Sequence, residues 1–211
     1  IFLILLFRAL LGIIFLSIFL KIKKKPIIIK THYPILTVMR GLMFFIAFSL
    51  YFFSLTKLSL ATAVTLFFVS PFFITILSMI FLNETIGIRR WIALAIGFIG
   101  VILVMDPKAN NFNIYAIFPL ICAFLYASTM IIQKRTSLED NLYSQVFHIY
   151  ISATLFSLLI GLVIGSGNYY DTTNDHFQFI FRAWSLNNIS IVFSLLFIGI
   201  SGFVAFLCIF Q

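Results

Sequence analysis

Residues 57–104 read KLSLATAVTLFFVSPFFITILSMIFLNETIGIRRWIALAIGFIGVILV, two apolar runs joined by a turn that carries one acid, Glu84, and two arginines, Arg89 and Arg90. Spanning about 30 Å of hydrocarbon takes roughly 20 apolar residues as helix, and both runs, Leu60 to Leu82 and Ile88 to Met105, meet or approach that length. In lipid the backbone must satisfy its own hydrogen bonds, so an apolar run of this kind is a helix. The short turn makes the two helices antiparallel neighbours. Its charges read either as a topology anchor with an interfacial ion pair or as a gating contact.

The same test applied outward along the chain finds Ile1 to Leu20, Gly41 to Leu55, Ile114 to Ile132, Leu142 to Gly165 and Ile189 to Phe210, making seven spans. Gly41 to Leu55 is short unless it extends back toward Ile35. With 63% hydrophobic and 9% charged residues, the composition is that of an all-α polytopic membrane protein whose surroundings are the lipid bilayer. The first span is no secretory signal, because its lysines follow the apolar run. The chain opens on Ile1 within one apolar helix and stops at Gln211 at the end of another, which reads as a piece of a longer protein.

The net charge of +8 matters less than where the charges sit. Lys21, Lys23, Lys24, Lys25, Lys30 and Arg40, then Arg89 and Arg90, then Lys134 and Arg135 fall in alternate loops. Lys57, Lys108 and Arg182 fall in the other set, and Arg8 lies within a span. Loops rich in Lys and Arg stay in the cytoplasm, so loops 21–40, 83–90 and 133–141 are expected there, and the first span runs from outside to inside. Charges sorted in this way do not form a nucleic-acid surface.

The second span, GLMFFIAFSLYFF from Gly41, aligns without a gap on the seventh, GISGFVAFLCIFQ from Gly199. Gly41 matches Gly199, Phe45 matches Phe203, Ala47 matches Ala205, Phe48 matches Phe206 and Phe52 matches Phe210. The two spans lie five helices apart, and an odd repeat must cross the membrane in opposite senses. The implied whole is a five-plus-five, ten-helix inverted-repeat architecture, as in secondary transporters that hold substrate near the midplane.

From Lys57 onward the chain resembles the signature half of the EamA family of the drug/metabolite transporter superfamily. The features are, in order, Ala61, Thr62, Ala63 and Thr65 opening a helix, the Ser70–Pro71 pair, Glu84 two residues after Leu82, the Arg90–Trp91 pair, and GFIGV from Gly97. LFRALLG from Leu6 is similar to that family's second helix. The resemblance implies an inner-membrane carrier of small metabolites, with 1–107 as the first repeat lacking one helix and 112–211 as the second lacking two. Within the family, the stretch from Arg40 to Pro107 is similar to S-adenosylmethionine uptake carriers of intracellular bacteria. The resemblance implies no cofactor.

Polar residues inside the spans mark a candidate substrate pathway: Arg8, Tyr51, Ser70, Pro71, Tyr126, Thr129, Gln145 and His148. Arg8 stands 13 residues before Lys21, which puts it about 20 Å from the cytoplasmic level. An arginine at a helix centre costs about 2.5–3.5 kcal/mol on insertion scales, so it has a use or a partner. It can anchor a substrate carboxylate or phosphate, snorkel outward, or bond another helix. Asn141, Ser144, Gln145, His148 and Ser152 share one helical face, and Cys122, Tyr126, Thr129 and Gln133 share another. Each stripe lines a cavity or a helix–helix seam. His148 can couple transport to protons or simply pack. Pro71 is a kink or a substrate-facing hinge. Gly161 with Gly165, and Ala93 with Gly97, read as close helix packing.

Neither HExxH, GxSxG, Walker A nor CxxC occurs, and two cysteines are too few for a thiolate metal site. The loop from Ser166 to Asn188 reads as a solvated connector. A small-molecule carrier leads, with an exporter of amino acids or drugs as the alternative in the same family. A membrane transferase or a non-catalytic membrane subunit stands as the alternative of another class. Oligomeric state is not legible.

Overall fold

The computed structural model describes residues 2–24, 30–105, 114–164 and 189–209, and all the regular structure among them is helical. In chain order the helices are α1 (Phe2–Ile22), α2 (Pro34–Ser54), α3 (Leu60–Phe67), α4 (Ser70–Leu82), α5 (Ile88–Met105), α6 (Ile117–Thr136, entered through a 3₁₀ turn at Ile114–Ala116), α7 (Leu142–Ile164) and α8 (Ile189–Ile209). Five segments are long and apolar enough to cross a membrane: Phe2–Ile22, Pro34–Ser54, Leu60–Leu82, Ile114–Thr136 and Leu142–Val163. The apolar helices α5 and α8, of 18 and 21 residues, take the places of the other two expected spans. The chain is an all-helical, polytopic membrane protein.

Two expectations change. The second span begins at Pro34, not Gly41, so residues 34–40, which the charge pattern had put in a cytoplasmic loop, are helical. Proline suits a first turn because its missing N–H would have had no helical partner there. The loops 83–90 and 133–141, expected in the cytoplasm, shorten likewise, since α5 starts at Ile88 and α6 runs to Thr136.

The third span is two helices rather than one kinked helix. Ser59 caps α3, its hydroxyl accepting from the Thr62 N–H at 3.1 Å. Phe68 and Val69 then turn on tightened bonds to the carbonyls of Val64, Thr65 and Leu66. Pro71 falls in the first turn of α4, where it removes no bond the helix would otherwise make. At the other end Asn83 takes the left-handed conformation (φ 53°) and donates to the Ser78 carbonyl, which stops α4.

The helices gather into two compact units, with the boundary inside α2. The first comprises Ile1–Phe45 and Ser137–Gln211. Here α1 packs along both α7 and α8, over a core of Ala9, Leu16, Leu20, Val146, Tyr150 and Ala153. Small residues permit the approach. A Cβ at Gly12 would come within 2.7 Å of the Tyr150 ring, one at Gly41 of α2 would collide with Ser152 of α7, and one at Gly199 of α8 would collide with Leu11 of α1. The pair of glycines that the sequence aligns thus packs crosswise on the pair α1 and α7. The side chains of Phe203, Ala205, Phe206, Cys208 and Phe210, like Gly165 and the 166–188 connector, lie outside the described residues.

The second unit is Ile46–Thr136. Within it α4 packs chiefly on α6, over Leu77, Ala127 and Ile131 with Phe73, Ile74 and Leu82 around them, and α3 packs on α6 and α5. Large side chains such as Ile14 and Ile18 of α1, Ile96 and Leu103 of α5 and Leu159 of α7 are exposed. A soluble protein would not carry so much apolar surface, whereas lipid accepts it.

Candidate functional site

In the first unit, the turn between α6 and α7 meets the segment that leads into α2. The Asp140 side chain is 2% exposed. Its Oδ2 accepts from the Thr31 hydroxyl, and its Oδ1 accepts from the His32 backbone N–H at 2.9 Å and lies 3.0 Å from His32 Nδ1. Burial pushes the Asp140 carboxyl up, but the bonds from Thr31 and His32 outweigh it and hold the group below the usual carboxylate range. Tyr33 donates its hydroxyl to Glu139 at 2.6 Å.

Further along, on α2, the Arg40 guanidinium donates from Nη1 to Gln145 Oε1 at 2.7 Å and from Nη2 to the Gln145 carbonyl at 2.6 Å. Gln145 Nε2 donates in turn to the Asp140 carbonyl at 3.3 Å. Gln145, expected in the pathway, is therefore a partner of Arg40. With Ser152 set against Gly41, the polar face of α7 is a seam with α2 at both positions.

His148 stays on its own helix. Its Nδ1 lies 2.7 Å from the Ser144 carbonyl oxygen, which can only accept, so Nδ1 carries the proton. Arg8 on α1 lies beside α8, its Nε 3.1 Å from where a Cβ on Gly202 would stand, and within electrostatic reach of the buried phenol of Tyr150 on α7.

The other expected residues belong to the second unit. Phe67 joins Tyr51 (ring centroids 5.8 Å apart) to Tyr126 (5.3 Å), so both tyrosines enter one aromatic cluster. Thr129 is buried and donates to the Tyr126 carbonyl at 2.7 Å. Ser70 is buried at the start of α4. Pro71 helps line a cavity of about 560 Å³ with Thr65, Phe68, Leu94, Gly97 and Arg90.

The charged turn resolves in the same unit. Glu84 pairs with Lys134 at the end of α6, and that hydrogen bond leads the effects that hold its carboxyl below the usual range. The expectation of close packing at Ala93 and Gly97 is not met among the described residues, none of which lies within 4 Å of a Cβ built on Gly97 or Gly100. Those positions face the cavity.

Sequence reasoning missed Arg40, Asp140, Tyr150 and the Thr31–His32 pair. Only Arg40 left a signal, since a helix started at Pro34 would have drawn it inside.

Membrane-length helices, two of which join through the buried pair Arg40 and Gln145 beside the Asp140 turn, define a polytopic helical membrane protein. The EamA-like transporter family model matches residues 1–106, half of the chain, and the chain belongs to that family. It is similar to the S-adenosylmethionine uptake transporter of Rickettsia conorii, 32% identical over 130 residues, which are 62% of this chain and 44% of the relative. It is similar also to the riboflavin transporter of Vibrio cholerae, 35% identical over 99 residues (47% of this chain, 33% of the relative). The pseudopaline exporter CntI of Pseudomonas aeruginosa is 26% identical over 153 residues (72% of this chain, 53% of the relative). The chain spans about half the length of the curated relatives it matches. No solved structure matches it.

Proposed function

We propose that the protein is a secondary transporter of the bacterial inner membrane that moves small metabolites by alternating access between two inverted repeats, 1–107 and 112–211. The preferred substrates are amino-acid derivatives, with S-adenosylmethionine first. The observation that carries the reading is the crosswise packing of Gly41 on α7 and Gly199 on α1, the geometry expected where two inverted copies meet. Family membership and the relatives named for uptake support it. Substrate would pass among Arg8, Tyr51, Ser70, Pro71, Tyr126, Thr129, Gln145 and His148. Loops 23–33, 83–87 and 137–141 would face the cytoplasm under the positive-inside bias.

The test is uptake of labelled S-adenosylmethionine by cells expressing the full-length gene, competed by unlabelled amino acids and riboflavin. Saturable uptake competed by S-adenosylmethionine supports the reading, and its absence across the panel removes the uptake assignment. Export of amino acids or drugs is the second reading, favoured by the similarity to an exporter. Efflux from preloaded inside-out vesicles separates the two.

A further inference from the structure

Arg40 is 1% exposed and heads the large, fully buried side chains of the described residues. A guanidinium taken out of water normally meets a carboxylate, whose two oxygens match its fork. Arg40 does not. One neutral oxygen of Gln145 sits on each of its terminal nitrogens, and Nε finds no acceptor among the described residues. Asp140 is close enough to act on Arg40 electrostatically, yet its two carboxylate oxygens bond Thr31 and His32. The arginine is thus held by an amide and a peptide carbonyl in the positions a bidentate carboxylate would fill.

The surroundings make that hold reversible. Gln145 lies in the first turn of α7, and what ties this turn to the approach of α2 is polar: Thr31 and His32 to Asp140, Tyr33 to Glu139, Gln145 to the Asp140 carbonyl. Such bonds are exchanged readily for water or for a better partner. The Arg40–Gln145 bonds are already assisted by the charge on the arginine, and a carboxylate in the same place adds an opposite charge and two oxygens that match the guanidinium fork.

We propose that Arg40 binds the carboxylate of the transported molecule and that Gln145 stands in for that carboxylate while the carrier is empty and closed. The inference rests on the transport reading and narrows its substrate class to amino acids and derivatives with a free carboxylate. It gives Gln145 a physical reason for being neutral. An empty carrier must close without stranding a buried guanidinium, which a glutamine allows, while its weaker bonds yield to an incoming carboxylate. A glutamate at the same place would pair permanently with Arg40 and keep substrate out.

The full-length protein in liposomes tests this in two readouts. Phenylglyoxal modifies accessible arginines, and peptide mass spectrometry follows Arg40 alone. S-adenosylmethionine and L-methionine should slow its modification, whereas methioninamide, which lacks the carboxylate, should not. Gln145→Ala should speed it. Gln145→Glu should suppress it and cut uptake by about tenfold or more, the loss of one charge-assisted contact, while the thermal midpoint holds or rises.

Arg40→Gln would confuse binding with folding, and Gln145→Glu avoids this because it strengthens the resting contact. Wild-type uptake in Gln145→Glu, or equal protection by methioninamide, overturns the inference and leaves the transport reading standing. Carboxylate-dependent protection of Arg40 without uptake of any labelled compound keeps the inference and overturns the transport reading. Absence of both overturns both.

Discussion

Asp140 accepts a hydrogen bond from the backbone N–H of His32 at 2.9 Å, across 108 residues of chain. With the bond from the Thr31 hydroxyl it ties the α6–α7 turn to the approach of α2. Because these bonds hold the carboxyl below its ordinary value, the group is stabilising above the unfolded pKa of about 3.9, and that contribution is lost as pH falls through the lower folded value. Asp140→Ala leaves the Thr31 and His32 donors without their acceptor and should cost about 1–3 kcal/mol. Thermal unfolding in detergent from neutral pH down through the carboxylate range checks both points: the wild type should lose stability on acidification, and the variant should lose less.

Glycine substitutions should sort by what they face. Gly41→Ala places a methyl group on Ser152 of α7, and the displacement should cost about 1–3 kcal/mol, the usual range for overpacking. Gly97→Ala meets open space and exchanges a poor helix former for the best, a gain of up to about 1 kcal/mol. Comparing the unfolding midpoints of the two variants checks the packing of α2 on α7. A neutral Gly41→Ala would refute that packing.

The helices were legible because hydropathy alone decides which segments cross lipid. What hydropathy could not show was where a polar residue inside a span finds its partner. Arg40 looked like a loop cation because Thr37 and Arg40 interrupt the apolar window, and only the helical start at Pro34 places it on a span. Spacing put Gln145 on a polar face of α7 that could line a cavity or a seam, but spacing cannot name the neighbour, which is Arg40 of α2. Pro71 read as a kink because a single apolar run hides the break at Phe68 and Val69. Asp140 was unreadable, since its partners lie more than 100 residues away.

The Glu84–Lys134 pair is exposed, and such pairs are offset by side-chain entropy and screened by salt. Lys134→Ala should leave the thermal midpoint unchanged within error, while the Glu84 carboxyl should titrate closer to its ordinary range once its leading hydrogen bond is gone. A pH titration of a label on the 83–87 turn reads the second effect. A large drop in the midpoint would mean that the turn is held by more than this surface contact.

The proposed role of Arg8 in the substrate pathway can be tested through its shape as well as its charge. It projects from α1 past Gly202, where the lack of a side chain on α8 leaves room for the guanidinium, and lies within reach of Tyr150. Arg8→Lys keeps the charge and loses the planar fork that engages a carboxylate or phosphate bidentately. If Arg8 anchors substrate, that variant should insert and unfold like the wild type yet lose about tenfold in uptake, the equivalent of roughly 1.4 kcal/mol. Gly202→Leu should do the same from the opposite side, by filling the space the guanidinium occupies. Uptake per molecule of folded protein separates the roles: an arginine that only joins helices would lower the amount of folded protein in both variants and leave the rate per molecule unchanged, and that result would remove Arg8 from the pathway.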